Sequence, residues 1–235
     1  MQFPELSERV ADVRGRIAAA VARGGHAQDV TLIAVTKTFG ADAATEAWGA
    51  GVHDAGENRV QEALPKIAAV RVPVRWHLIG HLQRNKAKAA ESFVLVHSLD
   101  SARLADALHD RGIARGQPID VLVQVNVSGE AAKSGWAPAA LEAEAERLKG
   151  LGGVRVKGVM TMAPLDADEA MLRRTFAGAR GARDVLRAAG HGAAELSMGM
   201  SNDYEIAVEE GATMVRVGTL LFGARTPAAG GHGDA

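Results

Sequence analysis

Cysteine is absent from this sequence, and aromatic residues are scarce: one tyrosine, three tryptophans and five phenylalanines in 235 residues. Without cysteine there is no disulfide framework, no thiolate metal site and no cysteine nucleophile. That composition is compatible with a reducing cytosol. A surplus of charge is missing too. The formal net charge is -1, which leaves no field to draw in nucleic acid or an anionic membrane. No apolar run approaches the ~20 residues of a transmembrane helix. The opening stretch MQFPELSERVADVRGRIAAAVARGG is charged throughout and lacks the apolar centre of a signal peptide. These absences point to a soluble, cytoplasmic protein.

What is present is an alternation. Leu6, Val10, Val13, Ile17 and Val21 recur at spacings of three and four, the period of an amphipathic helix, and Gly24-Gly25 ends it. Short apolar, β-branched runs follow at 31–36, 51–56, 74–80, 93–98, 119–127, 154–162, 194–199 and 213–218. Between them lie helix-favouring stretches rich in Ala, Glu and Arg, such as SARLADALHDRGIARG and LEAEAERLKG, with Ser101 placed to cap the first. Strands alternating with helices give βαβ units and a parallel sheet. Eight units in this length fit a single (β/α)8 TIM barrel with an extra N-terminal helix, a fold that usually takes ~250 residues. An open doubly wound sheet is the alternative, weakened by the lack of a Gly-x-Gly-x-x-Gly turn after the first strand. The barrel is expected over residues 1–225, with the Gly-rich tail 226–235 disordered.

In such a barrel the functional groups gather at the C-terminal ends of the strands. Those ends supply Lys37, then GENR, GHLQRNK, SLD, NVSGE, MAP, SMGMSND and VGT. Among seven lysines, Lys37 alone joins an apolar strand to the correct end. Lys66, Lys86, Lys88, Lys133 and Lys149 lie in polar surroundings and read as solvated, and Lys157 falls in the first half of its strand. A lysine at that position reaches water at the barrel mouth, pairs with an acid, or loses its charge and becomes a Schiff-base nucleophile. Spacing does not choose among these.

Ser201, Gly199, Gly218 and Thr219 follow strands seven and eight, where barrels of this kind bind phosphate. Capping of short helices by Ser201 and Thr219 uses the same free N–H groups. Period-2 alternation puts Met214, Arg216 and Gly218 on one face and Val215 and Val217 on the other. If the valines meet the helices, Arg216 points into the barrel and needs an acceptor, from a carboxylate or a ligand. A reactive lysine, a phosphate cup and an inward arginine together describe a site for pyridoxal 5'-phosphate (PLP). His77 and His81 straddle a strand end with no third ligand apparent, so no metal site is expected. Asp166, Asp168 and Glu169 read as acids at a helix N-terminus, and Arg84, Lys86 and Lys88 as a solvated face.

The segments AVTK, GENRVQEALPK, WHLIGHLQRNK, VNVSGEAAKSG, GVMTMAP and LSMGMSNDYEIAVEEGATMVRVGTLLFGAR run in order over nearly the whole chain. In them the chain closely resembles the PLP homeostasis proteins, which are built like the barrel domain of alanine racemase. The resemblance implies that Lys37 carries PLP as an internal aldimine. It also implies that Ser201, Gly218 and Thr219 hold the phosphate, Arg216 faces the pyridine nitrogen and Asn58 lies beside the ring, with His77, His81, Met162 and Met200 as further pocket residues. It implies a carrier that stores or delivers PLP, with apo PLP-dependent enzymes as acceptors, and a monomer or weak homodimer. Alanine racemases add a C-terminal β-domain that supplies a tyrosine as second base. This chain ends soon after strand eight, and its one tyrosine, Tyr204, sits where packing or loop support is the expected role. A non-enzymatic carrier is therefore expected, with a weak amino-acid racemase as the alternative and a PLP-free phosphate barrel as a third reading.

Overall fold

The computed structural model describes residues 2–130 and 133–223. The expected tail, 226–235, lies outside the described residues. Eight parallel strands close into a barrel in chain order: β1 (Thr31–Val35), β2 (Asp54–Glu57), β3 (Arg75–Leu78), β4 (Leu95–Leu99), β5 (Ile119–Gln124), β6 (Val154–Met160), β7 (Glu195–Ser197) and β8 (Met214–Val217). Each expected strand is there, generally shorter than its apolar run. The second begins three residues late, because Gly51 takes φ 83° and Val52 packs into the outer core. β1 pairs β8 with Ala34 opposite Val217 and pairs β2 with Ala34 opposite Ala55, so no edge is left open.

The covering helices are α1 (Leu6–Gly24), α2 (Ala41–Gly49), α3 (Val60–Ala69), α4 (Ala102–Arg115), α5 (Leu141–Lys149), α6 (Glu169–Ala188), α7 (Tyr204–Glu209) and α8 (Thr219–Phe222). A 3-10 segment, Arg84–Ser92, takes a helix's place after β3. The caps follow local chemistry. Ser101 accepts the N–H of Leu104 and Asp168 that of Met171, each satisfying an amide that has no partner inside its helix. α1 stops at Gly25, in the left-handed conformation at φ 68°, which glycine adopts without steric cost. α8 spans only four residues, and α1 lies against α7, α8 and α2, covering the wall that a full eighth helix would shield.

Two cores result. The larger fills the layer between sheet and helices, while Ile33, Leu95, Leu122, Met160 and Met214 fill the barrel interior. Val215 and Val217 belong to the outer core and Met214 to the inner one, so the alternation read along β8 holds. No described helix is long and apolar enough to cross a membrane.

Candidate active site at the barrel mouth

Lys37 follows β1 at the C-terminal rim, half-buried, and its backbone is held from three directions. Before it, Thr36 is fully buried; its hydroxyl donates to Glu57 Oε1 at 2.6 Å and its carbonyl accepts Lys66 Nζ at 2.9 Å. Lys66 also donates to Glu57 Oε1 at 2.7 Å, closing an ion pair between α3 and the end of β2. Beyond it, Thr38 takes φ 71°, a costly region for a β-branched residue. Phe39 then packs with Phe3 and Phe222, with ring centroids 5.0–5.5 Å apart. Strain at Thr38 persists because these anchors fix both neighbours.

Lys66 overturns the expectation of a solvated lysine: its side chain is 11% exposed. α3 turns it inward onto a carboxylate that the barrel wall buries completely. Lys133 departs in the same direction, bonding Glu130 at 2.7 Å and reaching the Met162 carbonyl at 3.4 Å.

The loops after β7 and β8 meet at the end of β1, two residues before Lys37. Gly218 follows β8 and abuts Val35: a Cβ there would lie 3.3 Å from the Val35 carbonyl and Cβ. Ser201 comes from the β7 loop, and its Oγ accepts the Gly218 N–H at 3.4 Å. Thr219 opens α8 and is exposed. Gly199 turns the β7 loop at φ 91°, where an added Cβ would press on Tyr204 Cα at 2.8 Å. The loops carrying Ser201, Gly218 and Thr219 are thus joined to one another and lie against the end of the strand that leads into Lys37.

Arg216 points into the barrel, 5% exposed. Its Nη1 donates to Ser197 Oγ at 2.6 Å and its Nη2 to the Thr161 carbonyl at 3.0 Å, so its acceptors are neutral oxygens. Burial lowers its pKa to about 10, with the Asp203 charge opposing; it remains a cation at neutral pH. Asp203 is itself pushed up by burial, against the Met200 amide and Arg216.

The remaining candidates divide by depth. Asn58 is half-buried on the β2 loop, and its backbone crosses so close to Gly80 that a Cβ there would lie 2.3 Å from the Asn58 carbonyl. Met162 packs against the interior cluster, and Met200 is 37% exposed on the β7 loop. His81 lies on the rim, its Nδ1 2.8 Å from Asp100. His77 sits deeper, in the middle of β3, bonded to Asp54 and His97. Tyr204 is buried with its ring beneath Arg16 of α1, 6.0 Å from the guanidinium carbon, so it faces the outer helix layer.

Sequence reasoning missed Glu57, Lys66, His97 and Ser197. Alternation at the start of LVHSL, with Leu95 facing the interior and Val96 the outer core, carried a signal for an inward histidine at 97. Nothing local marked Lys66, whose partner lies across a helix–strand step.

A closed parallel barrel with a lysine at the end of its first strand, glycine-bearing loops against it and an inward arginine on the eighth defines a (β/α)8 protein of the alanine racemase barrel class. The family model described as the alanine racemase N-terminal domain matches residues 15–226. A pyridoxal phosphate homeostasis protein of Pseudomonas aeruginosa is 46% identical over 94% of this chain and 96% of its own length, and that of Escherichia coli 39% over 94% and 97%. PipY of Synechococcus elongatus, solved with PLP bound, is 40% identical with a TM-score of 0.82, covering 93% of this chain and all of its own. The chain belongs to the family of pyridoxal phosphate homeostasis proteins. Alanine racemase from Corynebacterium glutamicum, 19% identical with a TM-score of 0.69 over 92% of this chain and 62% of its own, shares the fold.

Proposed function

We propose that this protein binds PLP at the barrel mouth and serves as an intracellular carrier of that cofactor. The observation that carries the reading is the contact of Gly218 with Val35 across the β1–β8 seam, which sets the Ser201, Gly218 and Thr219 loops against the strand end that leads into Lys37. The residues fit the ligand. Lys37 supplies the amine for covalent attachment through Nζ, and those loops supply hydroxyl and N–H donors for a phosphate. In this reading Arg216 would donate toward the pyridine nitrogen and Asn58 would lie beside the ring, with Met162, Met200, His77 and His81 as further pocket residues. PLP, when bound, supplies an electrophilic aldehyde and a conjugated ring that can accept electrons.

The chain's own groups favour holding over turnover. Arg216, a cation at neutral pH, would disfavour a proton on the ring nitrogen and so weaken the ring as an electron sink. Tyr204 is turned toward α1, and burial pushes its hydroxyl pKa up, so it does not serve as a second base at the mouth. The relatives named for homeostasis favour a carrier, with apo PLP-dependent enzymes in the cell as acceptors.

Borohydride reduction of protein loaded with PLP, followed by peptide mass measurement, tests the attachment. A pyridoxyl mass on Lys37, lost in Lys37→Ala, is expected. Wild-type protein that takes up no PLP overturns the reading. Hydrogen exchange at Cα of a panel of amino acids, faster than with free PLP, would instead make the protein a racemase-like enzyme.

A further inference from the structure

A line of polar side chains crosses the barrel interior beneath Arg216. Arg75, 57% exposed at the N-terminal face, grips Asp54 with Nε 2.8 Å from Oδ1. Asp54 Oδ1 is 2.9 Å from His77 Nε2, and His77 Nδ1 is 2.9 Å from His97 Nε2. His97 Nδ1 is 2.8 Å from Ser197 Oγ, which accepts Arg216 Nη1 at 2.6 Å. Asp54, His77, His97, Ser197 and Arg216 are each 5% exposed or less, and they come from β2, β3, β4, β7 and β8 respectively. No two share a strand, so only closure of the barrel assembles the line.

The chemistry of its two ends sets the hydrogens between. Arginine has no acceptor, so Ser197 Oγ accepts from Arg216 and its own O–H is free to donate to His97 Nδ1. His97 then carries its proton on Nε2 and donates to His77 Nδ1; His77 donates from Nε2 to the Asp54 carboxylate, which only accepts. The opposite order would need N–H groups on both nitrogens of His77, a further buried cation beside an Asp54 that Arg75 already neutralises. Burial, with the Arg216 charge adding to it, holds His97 well below the ordinary histidine range and so neutral. Burial alone would raise Asp54, but bonds from His77 and Arg75 outweigh it and keep the carboxyl below its usual range.

From this geometry we infer that Ser197, His97, His77 and Asp54 are positioning residues for Arg216, a one-way hydrogen-bond relay that fixes the guanidinium angle and its donor role toward the ligand's ring nitrogen. The inference rests on the proposed ligand assignment. Aligned donors polarise one another, so the Ser197 oxygen behind Arg216 draws on a carboxylate three side chains away. The charged groups along the line are Arg75 and Asp54 at one end and Arg216 with Asp203 at the other. Without the relay, Arg216 would lose its Nη1 acceptor and its aim.

Two measurements test this. Nitrogen-15 spectra of the histidine rings, taken on ligand-free wild type at pH 7, should show His77 and His97 neutral with the proton on Nε2. A proton on His97 Nδ1 overturns the relay. Binding is then compared for PLP and its carbocyclic analogue, in which C–H replaces the ring nitrogen. Ser197→Ala and His97→Gln should weaken PLP binding about tenfold, the loss of one bond to a charged group, and leave the analogue's affinity unchanged. Ser197→Thr, which keeps the hydroxyl, should restore PLP binding. Equal losses for both ligands overturn the relay in favour of packing. Failure of wild type to bind either ligand overturns the ligand assignment instead, and the ring spectra, which need no ligand, separate the two.

Discussion

Lys66→Met is the perturbation that most directly tests how the lysine loop is held. The substitution keeps most of the apolar stem and removes the ammonium that bonds Glu57 at 2.7 Å and the Thr36 carbonyl at 2.9 Å. Glu57 is 0% exposed, and its Oε2 has no hydrogen-bond partner among the described residues, so its charge is then left buried beside the Thr36 hydroxyl. Removing one partner of a buried pair costs about 3–5 kcal/mol. In a chain of this length that lowers the melting temperature by about 10 °C, at roughly 2–4 °C per kcal/mol. The double variant Lys66→Met/Glu57→Gln removes the stranded charge and should recover more than half of the loss. Urea denaturation of wild type, both single variants and the double gives the coupling directly. A Lys66→Met midpoint equal to wild type, or purely additive variants, would refute the claim that this pair clamps the strand end.

Two further outcomes are expected. His97 is held neutral when folded and takes up a proton near pH 6.5 when unfolded. Its folded pKa lies below its unfolded one, so stability falls as pH drops below 6.5, by at most about 1.4 kcal/mol per pH unit. Urea midpoints measured between pH 7 and 5 should show this slope in wild type and a shallower one in His97→Gln. Thr38→Asn places at φ 71° a residue that tolerates the left-handed region. A stability gain of up to about 1 kcal/mol is expected; a loss would mean that the Thr38 side chain makes contacts outweighing the strain.

The eight strands, their order and the direction of the barrel were legible in the sequence because each rests on local rules. Period-2 runs separated by helix-favouring stretches leave few topologies, and right-handed crossovers between parallel strands select among them. Lys37 stood out because a charge at the end of an apolar strand is anomalous wherever that strand packs. Arg216 stood out because alternation with Val215 and Val217 assigns it a face.

Partners are a different matter, since periodicity names the face a side chain occupies and never the atom it meets. Lys66 looked solvated, yet α3 brings it 2.7 Å from a carboxylate nine residues earlier. His97 and Ser197 are 100 residues apart and 2.8 Å from each other, a contact that exists only because β4 and β7 face one another across the closed barrel. The sequence by itself determined a (β/α)8 barrel with a lysine at a strand's C-terminal end and an inward arginine, because local pattern and strand direction suffice for that. Tertiary structure alone decided what stands behind those groups: the Glu57 clamp under Lys37 and the polar line under Arg216. The clamp is made where α3 folds back onto the β1–β2 pair and the polar line where the barrel closes, and each brings together residues that no local period relates.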